Sequence, residues 1–349
     1  MGRVWKSFCL VLLLCPLIAI SLDIAPPIQD QGGGRRQLLI FGSLGSVGSQ
    51  VSSLAKPSFS RVVGTVRDIN DIRKNDKDIL YIPINDITES DIIQATHILI
   101  AMPFVQESSS LWHTVLEHFF NSSSEENPKW LGMVSTSGVY GNHDGAWVSE
   151  ESELRCSPKS SAFAYQEWEK EFEQASARSK CTNVRIFRCS GIYDSSKSAL
   201  HTVWKSGFEK PNGNRGRGNT KTNRIHSFDI AQAIVASMRS TISGTPGYET
   251  LFFRIYNLAD DCPAPRNQVL EYAYNLLTDT GKTPPRIQDD REGSVASSTT
   301  TRARRRENER KLIDNKRMKE ELLPELTFPS YKEGLQAILI DPKAPWNQE

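Results

Sequence analysis

Cysteine and histidine are both scarce in this chain of 349 residues, with six of each. Two cysteines lie in the first fifteen residues, and the remaining four show none of the close pairs that zinc ligands form. These four are Cys156, Cys181, Cys189 and Cys262. Four dispersed thiols in so long a chain argue against a disulfide scaffold, although an oxidising compartment would permit a single bridge. The histidines show no metal-ligand spacing either, so we expect no metal site.

An excess of charge of one sign is also missing, because 42 basic residues face 41 acidic ones and the formal net charge is +1. A nearly neutral chain has no general attraction for nucleic acid or for an anionic membrane. One local exception is Arg302–Arg306, within the Ser-, Thr-, Arg- and Glu-rich segment 289–310. Without aromatic residues for base stacking, this segment is typical of a flexible, solvated insertion, with a basic docking strip or a processing site as alternatives. We therefore expect no nucleic-acid partner.

The first 22 residues have the composition of a secretory signal peptide. Arg3 and Lys6 precede the run Phe8–Leu22, which is apolar apart from Ser21. The run is short for a membrane span, so a retained signal anchor is the alternative. Residues 23–36 contain two prolines and three consecutive glycines, which is typical of a linker.

This leader predicts entry into the secretory pathway, to the endoplasmic reticulum lumen or the exterior, and no stable membrane association once it is removed. A plastid reached through a bipartite leader is a further alternative. Asp23 and Asp30 argue against it, because transit peptides are poor in acidic residues. The sequence also holds a single N-x-S/T acceptor, Asn121-Ser122-Ser123, in a polar segment where a surface loop is expected. In a luminal protein this asparagine could carry a glycan.

A strand and a glycine triplet follow the linker. Gln37–Phe41 is a five-residue run expected of a strand buried on both faces. Three glycines follow at the spacing G-x-x-G-x-x-G, and a helix is expected to start near the second of them. Such glycines permit a tight turn, the close approach of a pyrophosphate and helix packing on the sheet, while the helix N-terminus attracts phosphate. The sequence thus predicts a dinucleotide site formed by Gly42, Ser43, Leu44, Gly45, Ser46, Val47 and Gly48.

The run Arg61–Arg67 supplies the second strand, and Arg67 ends it where the ribose of the adenosine half would lie. An acidic residue at that place accepts hydrogen bonds from a 2′-hydroxyl, whereas an arginine pairs with a 2′-phosphate. Arg67 therefore favours NADP over NAD as the cofactor. Asp68 directly after it keeps NAD as the alternative.

Strands and helix-capable stretches then alternate, which predicts an α/β fold with a Rossmann-type doubly wound parallel sheet. Residues 37–195 are expected to form mainly the Rossmann core, and residues 196–340 a smaller C-terminal, substrate-side region. The further core strands are predicted at Asp78–Ile84, His97–Met102, Trp130–Thr136 and Val184–Cys189. In the C-terminal region, a long mobile loop is predicted at Lys205–Arg224 and a helix at Phe228–Met238. A strand at Phe252–Leu258 and a second helix at Asn267–Leu277 are predicted to follow.

Several motifs carry a family resemblance. In chain order they are the glycine turn, Ser135–Gly141 (STSGVYG), a helix with Tyr165, Arg188–Tyr193 (RCSGIY) and Arg224–Asp229 (RIHSFD). In this order they resemble the extended short-chain dehydrogenase/reductase superfamily of sugar-nucleotide epimerases and dehydratases, and within it an atypical NAD(P)-binding subgroup. The resemblance covers roughly residues 37–340 and implies hydride transfer at a secondary alcohol or carbonyl of a small-molecule substrate. It also implies that Thr136 positions the substrate oxygen, that Tyr165 passes the proton and that Arg224 binds a substrate phosphate.

One position departs from the family pattern. In the parent family a lysine four residues after the tyrosine stabilises the phenolate, but Glu169 stands there in this chain. Lys170 lies one residue further on and is turned away on a helix. A carboxylate at position 169 would raise the pKa of Tyr165 and oppose its use as a base. The chain is therefore either an NAD(P)-dependent oxidoreductase or epimerase, or a catalytically inactive NAD(P)-binding sensor or partner-binding module.

Each candidate side chain also has a plainer interpretation. Tyr165 shares helical spacing with Trp168 and Phe172, as in a core aromatic stripe. Thr136 at a strand end could satisfy nearby backbone groups. Arg224 could be a solvated loop arginine.

Overall fold

The computed structural model describes residues 36–72, 78–104, 109–124, 127, 129–179, 181–206, 220–240, 252–282 and 310–347. The signal peptide, nearly all of the linker and all but the last residue of segment 289–310 lie outside these residues, so what the sequence predicts for them stays a prediction. Within the described residues, no helix is long and apolar enough to cross a bilayer.

Strands and helices alternate along the described chain. The strands are β1 (Gln37–Phe41), β2 (Arg61–Val66), β3 (Leu80–Pro83), β4 (His97–Ile100), β5 (Lys129–Thr136), β6 (Trp147–Val148), β7 (Thr182–Cys189), β8 (Gly191–Tyr193), β9 (Lys221–Thr222), β10 (Arg224–His226), β11 (Phe253–Leu258), β12 (Ala264–Pro265) and β13 (Leu312–Ile313). The helices are α1 (Ser46–Ala55), α2 (Glu89–Gln94), α3 (Ser109–Asn121), α4 (Ala162–Arg178), α5 (Ala199–Lys205), α6 (Ser227–Ser240), α7 (Arg266–Asp279), α8 (Lys316–Glu321) and α9 (Tyr331–Leu339).

Seven strands form one sheet in the order β11-β7-β5-β4-β1-β2-β3, and each neighbouring pair is parallel. From β1 the chain builds outward through β2 and β3, and it then returns to the other side of β1 with β4. This reversal is the topological switch point of a doubly wound sheet. The predicted Rossmann-type fold class is confirmed.

Helices cover both faces of this sheet. In β1, Leu38 and Ile40 belong to a buried cluster that includes residues of α1 and α6. Leu39 and Phe41 belong to a second cluster, built with residues of α3 and α4. A strand whose alternate residues enter two different cores must be apolar throughout, which explains the unbroken apolar run in the sequence.

The boundary expected near residue 195 needs correction at two elements. Strand β11 belongs to the central sheet, where it pairs with β7 from Phe253 opposite Val184 to Leu258 opposite Cys189. Helix α6 packs on the same face of the sheet as α1. A separate buried cluster is formed by residues of α5, α7 and α9. The C-terminal half of the chain therefore contributes to the Rossmann layers as well as to this smaller core.

Part of the predicted loop Lys205–Arg224 is also more regular than expected. Residues 207–219 lie outside the described part, but β9 follows them and pairs antiparallel with β12. Strand β10 begins at Arg224 and pairs in parallel with β8. These two-residue and three-residue pairs are too short to leave a periodic signal in the sequence.

Candidate functional site

The glycine turn lies at the carboxyl edge of the sheet, next to the switch point. The turn joins the end of β1 to the start of α1, and the end of β4 lies beside it. A Cβ atom placed on Gly42 would lie 3.0 Å from the Ala101 carbonyl oxygen, just after β4. Open α/β sheets bind their ligands in this crevice.

Two of the three glycines are required by the backbone itself. Gly42 has a φ of +84°, a conformation that side chains disfavour. A Cβ on Gly48 would lie 2.9 Å from the Gly42 carbonyl carbon and closer still to its oxygen. Gly45 is less constrained, because its Cβ would lie 3.3 Å from the same oxygen. The turn is therefore packed too tightly for side chains at positions 42 and 48.

The turn is fixed by bonds to β2. The Gly42 N–H donates to Thr65 Oγ1 at 3.1 Å, and the Ser43 hydroxyl donates to the Thr65 carbonyl at 2.9 Å. Ser43 and Val47 are both buried, so these two side chains serve the turn and the core. Three members of the turn, Leu44, Gly45 and Ser46, are exposed.

The N-terminus of α1 is open to an anion. Gly45 is the N-cap residue, and no side-chain hydrogen bond caps the helix. No acidic residue lies in the first turn. The free N–H groups and the positive end of the helix dipole fit a bound pyrophosphate, and one internal anion, the Asp194 carboxylate, already hydrogen-bonds the Ser46 side chain in this turn.

Arg67 and Asp68 follow β2 at the same edge of the sheet, and both are exposed. The Asp68 carboxylate accepts hydrogen bonds from the backbone N–H of Asn70 at 2.8 Å and from its side-chain amide at 2.9 Å. These bonds start a short 3-10 turn and hold the carboxylate against its own chain. Arg67 is thus the more adaptable of the two side chains beside the expected ribose position.

Thr136 ends β5 and caps the 3-10 turn Ser137–Tyr140. Its Oγ1 accepts a hydrogen bond from the Gly138 N–H at 3.1 Å. Thr136 therefore satisfies a nearby backbone group, as its plainer interpretation predicts. The hydroxyl still keeps its own proton, which remains able to hydrogen-bond a ligand oxygen.

Tyr165 lies in the first turns of α4, half-buried at the carboxyl edge of the sheet. Its ring packs edge-on against Phe104, which follows β4, with 5.5 Å between the ring centroids. The pKa of Tyr165 is raised, chiefly because burial disfavours the phenolate, and the Cys189 thiol adds to the shift. A hydrogen bond with the Phe104 backbone opposes the shift but does not overcome it. Tyr165 is consequently a neutral phenol at physiological pH.

Glu169 is buried and faces Arg188 of β7. The guanidinium donates to the two carboxylate oxygens, with Nη2 at 2.7 Å and Nε at 3.1 Å from Oε2. The Ser135 hydroxyl donates to Oε1 at 2.5 Å. The sequence correctly predicts a raised pKa for Tyr165 but assigns it the wrong cause, because burial and Cys189 raise it while Glu169 is engaged with Arg188 and Ser135.

The Arg188–Glu169 pair is part of a larger buried network that the sequence analysis does not identify. Arg188 Nη1 donates to the Tyr140 hydroxyl at 2.9 Å, and that hydroxyl donates to Asn257 Oδ1 at 2.6 Å. The guanidinium carbon lies 4.9 Å from the centroid of the Tyr140 ring. Burial, the largest single influence, lowers the pKa of Arg188, but Glu169 and Tyr140 together outweigh burial and raise the pKa. The network joins β5, β7, β11 and α4 at the carboxyl edge.

Arg224 is expected to bind a substrate phosphate, but its guanidinium is hydrogen-bonded to other residues of the chain. Its Nη2 donates to Thr222 Oγ1 at 2.8 Å and to the Ala264 carbonyl at 2.9 Å. Its guanidinium carbon lies 5.4 Å from the centroid of the Tyr331 ring. These contacts tie β10 to β12 and α9, and they account for this arginine without a ligand.

The fold has many relatives among solved structures, although no family model and no curated protein matches the chain. A conserved protein of unknown function from Silicibacter pomeroyi is 26% identical, with a TM-score of 0.61 over 87% of this chain and 98% of that one. UDP-glucuronic acid 4-epimerase from Bacillus cereus, solved with NAD, is 17% identical, with a TM-score of 0.60 over 86% and 96%. dTDP-glucose 4,6-dehydratase from Bacillus anthracis, also with NAD, is 18% identical, with a TM-score of 0.59 over 87% and 95%.

Proposed function

Since the chain has the epimerase/dehydratase-like fold of the extended short-chain dehydrogenase/reductase superfamily, we propose that it binds NADP(H) or NAD(H) in the Gly42–Gly48 turn. The observation that carries this proposal is the turn itself, in which Gly48 packs against the Gly42 carbonyl and α1 begins without a cap. We further propose hydride transfer at a secondary alcohol or carbonyl of a small-molecule substrate. Sugar nucleotides are the substrate class suggested by the names of the epimerase and dehydratase relatives.

The bound nicotinamide would supply or accept the hydride, and residues of the chain would handle the proton. A neutral Tyr165 can donate a hydrogen bond or a proton to a carbonyl oxygen, but it is a poor base for removing a proton from an alcohol. The Thr136 hydroxyl, which keeps its own proton, would hold the same oxygen. The arrangement therefore favours carbonyl reduction over alcohol oxidation.

A second candidate function is a cofactor-binding module without turnover. It is supported by Glu169, which stands in place of the lysine and is committed to Arg188 at 2.7 Å. Once Tyr165 has given up its proton, no cation from position 169 stabilises the phenolate. Such a protein would bind the dinucleotide as a sensor or as part of a partner surface.

Comparing the wild type with Tyr165→Phe, for cofactor binding and for turnover, separates these two functions. We expect the variant to bind NADPH as tightly as the wild type, because Tyr165 is not part of the glycine turn. Its kcat on a responsive carbonyl compound should fall by about 10²-fold or more, as for loss of a general acid. The measurement is nicotinamide absorbance with a panel of carbonyl compounds and sugar nucleotides. If both proteins bind cofactor and neither oxidises it, the module is the correct function.

The choice of cofactor is tested by Arg67→Ala. If Arg67 pairs with a 2′-phosphate, the variant should bind NADPH about 10- to 100-fold more weakly, because a charge-assisted hydrogen bond contributes about 1.5–3 kcal/mol. Its affinity for NADH should not change. Arg61→Ala is the matched control, since Arg61 opens the same strand at the opposite edge and bonds to Gln37. Titration calorimetry of the wild type and both variants with each dinucleotide measures the losses. Equal losses for both dinucleotides, or for both variants, would contradict the assignment.

A further inference from the structure

Asn121 is the last residue of α3, and its side chain is exposed. It begins the single N-x-S/T sequence of the chain, and neither Asn121 nor Ser123 contributes to the glycine turn or to the buried Arg188 network. Ser123 is partly exposed, and its hydroxyl donates to the Phe120 carbonyl at 2.7 Å. Helix ends fray, so the three residues can adopt the extended form that a modifying enzyme needs.

The position of the acceptor keeps it away from the dinucleotide site. Helix α3 leads into β5, and Lys129 at the start of β5 donates from Nζ to the Ser122 hydroxyl at 2.6 Å. Ser122 is thereby held at the amino edge of the sheet. The seven steps from Lys129 to Thr136 span roughly 23 Å along the strand. A substituent on Asn121 would therefore leave the carboxyl edge open.

There is room for a bulky substituent at this place. Asn121 borders an open cleft of about 470 Å³ between α3 and α4. Leu116 and Phe120 provide apolar surface in the cleft, and the exposed side chains of Glu117 and Arg178 line it as well. A sugar presents both apolar C–H faces and hydroxyl groups, which suits a lining of this mixed character.

We infer that Asn121 carries an asparagine-linked glycan. In the transfer, the amide nitrogen of Asn121 forms a bond to C1 of the first sugar of a polyprenyl-diphosphate-linked oligosaccharide. The bond between that C1 and the diphosphate oxygen breaks, the lipid diphosphate leaves with the electron pair, and the amide loses one proton. The modification requires luminal entry, which the leader predicts. It is independent of the proposed dinucleotide chemistry.

The test is to express the full-length chain in a eukaryotic cell and compare its electrophoretic mobility before and after digestion with an endoglycosidase. We expect digestion to lower the apparent mass in a single step, as for loss of one glycan. Asn121→Gln and Ser123→Ala should both abolish the step, whereas Ser123→Thr should keep it because threonine also completes the acceptor. The Asn121→Gln protein should bind NADPH like the wild type.

A reporter acceptor in the linker identifies the reason for a negative result. The double substitution D30N/G32S introduces a second N-x-S sequence at residues 30–32. If the reporter is modified while Asn121 is not, the chain reaches the lumen but Asn121 is not glycosylated, and the inference is overturned. If neither is modified, it is overturned because the chain does not reach the lumen. A step that persists in Asn121→Gln also overturns it.

Discussion

Gly48→Ala is expected to abolish measurable binding of NADPH and NADH. The new Cβ would lie 2.9 Å from the Gly42 carbonyl carbon and 3.0 Å from Ser43 Cα, so α1 must move away from the end of β1. The N–H groups of the turn move with it and no longer converge on one phosphate. We expect Kd to rise at least about 100-fold, which is about 2.7 kcal/mol. Titration calorimetry with each dinucleotide measures the loss.

Two further variants show whether this loss arises from the predicted close approach. In Gly45→Ala the added Cβ lies 3.3 Å from the Gly42 oxygen, so a small adjustment accommodates it and the loss should be several-fold smaller. Ser53→Ala changes an exposed residue of the same helix and should bind like the wild type. Wild-type affinity in Gly48→Ala would refute the assignment of this turn as the dinucleotide site.

Removal of either partner of the Arg188–Glu169 pair should lower the free energy of unfolding by about 3–5 kcal/mol, because it leaves one buried charge uncompensated. In Arg188→Ala, the Glu169 carboxylate keeps, among the described residues, the Ser135 hydroxyl as its hydrogen-bond donor. In Glu169→Ala, the guanidinium keeps the Tyr140 hydroxyl and the Glu150 carbonyl as neutral acceptors. Urea denaturation of each variant gives the change.

The same helix offers a matched control. Lys170 and Glu167 form a pair at 2.8 Å, but about half of each side chain is exposed. Lys170→Ala should therefore cost less than about 1 kcal/mol. A double variant, Arg188→Met with Glu169→Met, removes both charges and should recover most of the loss of the single variants. If the single variants are no less stable than Lys170→Ala, the pair does not stabilise the fold as its burial implies.

The glycine turn could be predicted from the sequence because its determinants are local. The five residues before Gly42 are buried on both faces, and the three glycines fall within seven residues. Parallel strands also bring their carboxyl ends to one edge, so Thr136 and the turn could be placed together without coordinates. The same reasoning predicts the order of chain segments but not which strand pairs with which.

The features that the sequence did not reveal depend on contacts between distant residues. Glu169 and Arg188 are 19 positions apart on a helix and a strand, and each taken alone resembles a surface charge. A signal was present in the run Val184–Cys189, where two arginines interrupt an otherwise apolar sequence and therefore need buried partners. Similarly, the run Phe252–Leu258 was predicted as a strand, but the place of this strand beside β7 is set by tertiary packing.

The position of β11 has a consequence for the synthesis of the chain. When the ribosome has produced every strand through β7, β7 is still an unpaired edge strand and α1 still lacks its neighbour α6 on the same face of the sheet. Unpaired backbone groups at such an edge invite pairing with another nascent chain. The sheet cannot be completed until Leu258 has left the exit tunnel. After β7, about seventy more residues must be translated before β11 can join the other six strands of the sheet. We expect chaperones to be needed most during this interval.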